Sequence, residues 1–189
     1  SYIGTSDEST DRIVRIGNSG NTQGAPGSNG GAIISNDSPN NSSLQFTNAI
    51  FNDPEDTSTD RISARQLSLE GTSTAINTID GVISDNFTSG PIIDETVSVN
   101  VDTSGTWQLD GASTYTGNTT VNGGTLRVNG SLASGSLVTV SDNGTLAGSG
   151  TIGGNVSFAS GATHTGGDTA AAAVQTLSGD VSYASGATV

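Results

Sequence analysis

The stretch GNVSFASGAT at residues 154–163 returns as GDVSYASGAT at residues 179–188, with only Asn155 exchanged for Asp180 and Phe158 for Tyr183. A catalytic centre is needed once per chain, so a segment restated 25 residues later marks a structural unit that stacks on its own copy. The rest of the second half keeps the same beat: SGTWQL at 104–109, GGTLRV at 123–128, NGTLAG at 143–148, SGATHT at 160–165 and SGATV at 185–189. Aligned on Gly105, Gly124, Gly144, Gly161 and Gly186, the intervals are 19, 20, 17 and 25 residues, and the longest holds the insertion GGDTAAAAV. Each beat joins a short alternating run, such as Val138 and Val140 or Val156 and Phe158, to a small polar turn with Gly. Alternation at period two gives a strand one apolar face, which a unit this short cannot bury alone. Parallel stacking of successive units, each about 4.8 Å above the last, buries it. The expected fold is therefore all-β, a parallel β-solenoid with coils of about 20 residues. Val138, Val140, Val156, Phe158 and Val181 are expected to point into one continuous core.

Composition decides between order and disorder. Hydrophobic residues are 31% and charged residues 12% of the chain, while Gly fills 27 of its 189 positions. A disordered chain is also poor in apolar residues, but it carries many charges and its hydrophobes do not alternate. The formal net charge is −13, and all five basic residues are Arg. Acidity argues against nucleic acid and anionic membranes as partners, and the absence of Lys removes Schiff-base chemistry. The lack of Cys excludes disulfides and thiolate metal sites. No apolar run is long enough for a transmembrane helix. A chain that starts at Ser1, without Met or a signal peptide, reads as processed or as a piece of something longer.

Charge also divides the chain. Residues 1–110 hold 15 of the 18 acidic residues, four of the five Arg and all four Pro. Strand-like runs occur there at 12–16, 32–34, 44–51, 62–69, 75–83 and 97–101, separated by long polar loops. The reading is one solenoid in two parts: residues 1–95 as loop-bearing acidic coils, and residues 96–189 as regular Gly/Thr/Ser-rich coils continuous with them. The stretch DTAAAAVQTL at 168–177 is the one place where a helical turn competes with a loop.

Residues 105–132, GTWQLDGASTYTGNTTVNGGTLRVNGSL, resemble the autotransporter-associated β-strand repeat. Ala112, Thr114 to Gly117 and Thr119 to Leu126 fall on its pattern, while Ser113 and Asn118 depart from it. The resemblance extends over about residues 60–189 and reaches the first 60 only in style. It implies a right-handed β-helix in secreted or surface-displayed bacterial proteins, and it implies no catalytic activity.

Candidate chemistry is sparse. His164 is the sole histidine; aligned on the glycine beat it shares a position with Gln108, Arg127, Ala147 and Val189, which argues against a catalytic base. Sugar-cleaving β-helices use paired acids, sometimes with calcium, and the densest acidic cluster is Asp53, Glu55, Asp56 and Asp60. Its spacing is not that of an EF-hand, since Ser58 takes the glycine position and Ala64 the twelfth. Those four residues are candidates for a weak calcium site, and no other cofactor is expected. Trp107, Tyr115, Phe158 and Tyr183 suggest either a sugar platform or stacking within the solenoid; the equivalence of Phe158 and Tyr183 favours stacking.

The functional expectation is a non-enzymatic, extracellular or bacterial outer-surface protein with a structural or adhesive role. The alternative is a polysaccharide-active β-helix, a lyase or hydrolase. Expected partners are host or matrix glycans or proteins, or the chain itself: the last coil carries no polar cap, so it could stack head to tail on residues 2–16 of another copy and form filaments.

Overall fold

The computed structural model describes residues 1–12, 14–16, 31–52, 65–85, 96–167 and 173–189. Among them there is no helix, and every pairing between named strands is parallel. The registers sort the strands into layers. The first layer has β1 (Glu8–Thr10) and β2 (Val14–Ile16); the second has β3 (Gly31–Ser35), β4 (Leu44–Phe46) and β5 (Ile50–Asn52). The third has β6 (Arg65–Gly71), β7 (Ile76–Ile79) and β8 (Ile83–Ser84), and the fourth is the single long strand β9 (Val97–Leu109). The fifth has β10 (Thr119–Val128) and β11 (Ser131–Leu132); the sixth has β12 (Val138–Val140), β13 (Gly144–Gly148) and β14 (Thr151–Ile152). The seventh has β15 (Val156–Phe158), β16 (Thr163–Gly166) and β17 (Thr176–Leu177), and the eighth has β18 (Val181–Tyr183). This is an all-β stack of parallel layers, the arrangement a β-solenoid requires.

The alternation read from the sequence becomes columns of inward side chains. One column runs Leu67, Val99, Thr119, Val138, Val156, Val181, and its neighbour runs Leu69, Val101, Val121, Val140, Phe158, Tyr183. A third runs Asn77, Trp107, Leu126, Leu146, His164. Most of these side chains are fully enclosed in one cluster. Burying each Val, Leu or Phe contributes roughly 1.5–3 kcal/mol, so the columns supply the driving force that a chain this poor in hydrophobes needs.

Three sequence expectations need correction. Residues 44–51, read as one run, are two strands, because the chain turns at residues 47–49 to enter a second sheet of β2, β5 and β8. The run at 75–83 is likewise split into β7 and β8. Val181 lies in register with buried Val156 but is 38% exposed, since β18 is hydrogen-bonded on one side only and no described layer covers the other.

The fourth correction concerns the beat itself. Registered partners in the third sheet segment are Thr106, Thr125, Thr145 and Thr163, with Thr188 bridged to Thr163. The constant is the threonine. Two residues before it, Asn143, Gly161 and Gly186 all take a left-handed turn, with φ of 71°, 85° and 96°. Gly161 therefore does the work of Asn143, which tolerates positive φ, and not of Gly144. Alignment on glycine slips this layer by one residue.

The alternation makes a sharp stability prediction. Val156→Asp puts an unpaired carboxylate into a column where the native side chain is 1% exposed, and should cost ~3 kcal/mol or more. Ser157→Asp faces outward and should be mild. Equal losses in thermal unfolding at the two sites would contradict the inward columns.

Candidate functional site

The one-residue correction moves His164 out of the position of Gln108, Arg127 and Ala147 and into the third column, opposite Leu146. It is 9% exposed, and its ring stacks on Phe158 with centroids 5.0 Å apart. Nδ1 lies 2.7 Å from the Tyr183 hydroxyl and Nε2 lies 3.0 Å from Gln175 Oε1. Gln175 Nε2 donates to the Ala147 carbonyl at 2.9 Å, which fixes the amide with its oxygen toward the imidazole. Nε2 therefore carries the proton, and Nδ1 accepts from Tyr183. Among the described residues no Ser, Thr or Cys is hydrogen-bonded to either nitrogen. The sequence alignment put His164 at a permissive position, and the register instead puts it in a column of large side chains, Trp107, Leu126 and Leu146.

The aromatic residues divide the same way. Trp107, Tyr115 and Phe158 are buried, so they are no platform for a ligand. Tyr183 lies on Phe158 with centroids 4.6 Å apart and planes 5° from parallel, the ladder that their equivalence in the repeat suggested. Burial raises the Tyr183 pKa.

Tyr115 anchors a second polar network inside the stack. Its hydroxyl is 2.7 Å from Thr119 Oγ1, which is 3.1 Å from Ser136 Oγ. Thr119 occupies the column that holds Val in the neighbouring layers, so Tyr115 and Ser136 satisfy the one hydroxyl that this column encloses. A third network sits lower: Asn77 Oδ1 accepts from Asn36 Nδ2 at 2.6 Å and from the Leu44 amide at 3.0 Å. Sequence reasoning missed Gln175, Asn36 and Asn77, since no local pattern separates a buried amide from the many exposed ones in so Asn-rich a chain.

Asp53, Glu55, Asp56 and Asp60, the calcium candidates, lie outside the described residues. Among the described residues no three His, Cys, Asp or Glu are grouped so as to hold a metal ion. Asp37 and Asp85 act on the backbone and on hydroxyls. Asp37 accepts from the Ser1 and Ser35 hydroxyls and from the Thr72 amide and hydroxyl; Asp85 accepts from the Val97 and Thr116 amides and the Thr116 hydroxyl. One neutral polar ladder on the outer surface runs from Ser141 Oγ to Asn122 Oδ1 and from Asn122 Nδ2 to Asn100 Oδ1.

The residues around Tyr115 therefore form a structural motif, and its sequence can be compared with known families. Residues 104–128 carry a passenger-associated-transport-repeat. The match covers β10 and the end of β9, with the Tyr115 and Thr119 turn between them. No curated protein and no solved structure matches the chain. The repeat is the kind found in autotransporter passengers, and it points to a surface or secreted location and to a structural part. No helix among the described residues is long and apolar enough to cross a membrane.

Tyr115 and Asp37 titrate in predictable directions. Burial pushes the Tyr115 hydroxyl up to about 12, against the smaller opposing pull of its bonds to Thr119 and Ser136. The stability that this represents is complete below the ordinary tyrosine value and is lost as pH rises through the raised one. An alkaline unfolding transition between pH ~10 and ~12 should therefore be shifted or removed in Tyr115→Phe, read from phenolate absorbance and circular dichroism together. At the acid end, hydrogen bonds from Ser1 and Ser35, then Thr72, hold Asp37 at about 2. Its contribution is present above the ordinary aspartate value and lost as pH falls through the lowered one, so Asp37→Asn should flatten the acid limb of the stability profile.

Proposed function

We propose that the chain is part of an extracellular or outer-surface bacterial protein, a non-enzymatic right-handed β-solenoid with coils of about 20 residues in its regular half, acting as a stalk or adhesin. The observation that carries this reading is the passenger-associated-transport-repeat at residues 104–128, seated between the fourth and fifth layers of a continuous parallel stack. A stack of this kind is a spacer by construction, because each layer adds about 4.8 Å of length without needing a wider core. The outer face fits the same role. Past Asp110 the sequence holds only four charged residues, Asp142, Asp168, Asp180 and Arg127, which leaves hydroxyl and amide groups as the main recognition chemistry and makes neutral glycans or proteins of a host or matrix the partners of choice. Stacking of a second copy on the last layer is the less favoured partnership: Glu8 is in register with Leu44, so in-register contact with the Val189 end would bury a carboxylate.

Two measurements test the reading. Antibody raised against the chain should label intact producing cells, and externally added protease should remove the label; signal confined to lysed cells rules out a surface role. Incubation with a panel of acidic polysaccharides, with and without calcium, should release no unsaturated or reducing ends. Turnover that disappears in Asp53→Asn or Asp56→Asn would replace this function with the polysaccharide-active one.

A further inference from the structure

Asn followed by Gly is the dipeptide in which a polypeptide most readily modifies itself, because Gly leaves the backbone free to bend and has no side chain to shield its own nitrogen. The Gly nitrogen attacks the carbonyl carbon of the Asn side chain. Ammonia leaves, its third hydrogen coming from the Gly N–H, and the succinimide so formed takes up one water. Opening at one carbonyl gives Asp, and opening at the other gives isoAsp, whose backbone runs through the former side chain. Nothing is oxidised or reduced, and water is the one co-reactant.

The chain holds this dipeptide at Asn29, Asn122, Asn129 and Asn143, and Asn29 lies outside the described residues. The sequence ranks the other three alike, and the structure separates them. Asn122 donates from Nδ2 to Asn100 Oδ1 at 2.9 Å and accepts the Ser141 hydroxyl at Oδ1, 3.0 Å away, so both ends of its amide are tied. Asn129 is half-buried, and its Oδ1 accepts from the Ser149 amide at 3.3 Å and the Ser149 hydroxyl at 3.4 Å. Its own N–H and that of Gly130 are both given to the Leu109 carbonyl, 3.0 Å from each. Asn143 is exposed, and among the described residues no hydrogen bond holds its side chain. It stands at φ 71° in the turn that carries β12 into β13, and its equivalent in the next layer is Gly161, which has no side chain to pack over it. The Gly144 N–H makes a turn bond to the Ser141 carbonyl at 3.0 Å, and that bond opens before attack.

We propose that Asn143 is a self-modification site of the folded chain, converting to Asp and isoAsp while Asn122 and Asn129 are held. The isoAsp product lengthens the backbone of the β12–β13 turn by one atom. Either product sets a new carboxylate beside the exposed Asp142, on a part of the surface otherwise poor in charge.

The test compares rates at three sites within one molecule. The purified chain is held in mildly alkaline buffer, folded or in urea, and each site is followed by peptide mapping, with enzymatic methylation to count isoAsp. In urea the three should convert at similar rates, since Gly follows each. In the folded chain Asn143 should convert at least about tenfold faster than either of the others, the ratio that loss of one or two side-chain hydrogen bonds produces. Asn100→Ala/Ser141→Ala removes both partners of Asn122 and should accelerate that site while Asn129 stays slow. Equal rates in the folded native chain, an Asn143 slower than either of the other two, or an Asn122 still slow in the double variant overturns the assignment. Should Asn129 accelerate as well, the variant has lost its stack, and the three rates in the native chain decide the outcome.

Discussion

Parallel pairing in register is the constraint from which the rest of this molecule follows. Backbone hydrogen bonds fix the distance between layers, and alternation sends every second side chain inward, so each inward residue lies directly on its partner in the layer below. A column tolerates similar sizes and little else. Val99, Val138 and Val156 in one column, and Val101, Val121 and Val140 in the next, meet that demand with β-branched residues whose few rotamers pack well on a pleated surface. Corners have their own version of the rule. A Cβ on Gly148 would lie 2.1 Å from the Val128 carbonyl oxygen of the layer below, so the chain can close that turn only where a side chain is missing.

Against this uniform background, the polar groups inside the stack acquire meaning. Asn77, Thr119 and His164 each interrupt an apolar column, and each is satisfied by partners reached from another layer or turn: Asn36, Tyr115 with Ser136, and Tyr183 with Gln175. Replaced together with their partners by apolar residues, such sites would lose little stability, since the net value of an enclosed hydrogen bond is small. Left half-made, they cost more than they contribute when complete.

The same uniformity shapes what the molecule can do. Chemistry requires several unlike groups converging on one point, and a ladder instead spreads like groups along a line. The described surface follows that tendency, with threonines, serines and asparagines repeated layer upon layer and with carboxylates spent on backbone amides and hydroxyls at Asp37 and Asp85. The passenger-associated-transport-repeat at residues 104–128 lies within this regular stack.

The sequence by itself determined the strand alternation and the parallel stack, because those depend on local patterns and on one segment being repeated. It also identified the repeat around Tyr115, whose residues are consecutive, though not why that tyrosine is needed: the Ser136 hydroxyl that closes its network comes from the next turn of chain. Only the tertiary structure decided which residue stands on which. Gly161 could be matched to Gly144 or to Asn143, and the choice placed His164 either with Gln108, Arg127 and Ala147 or in the column of Trp107, Leu126 and Leu146. Backbone hydrogen bonds between layers settle it, and they are indifferent to which residue carries the glycine. Val181 shows the same limit from the other side: its pattern is that of Val156, but burial depends on a layer above, which no property of the residue itself can supply.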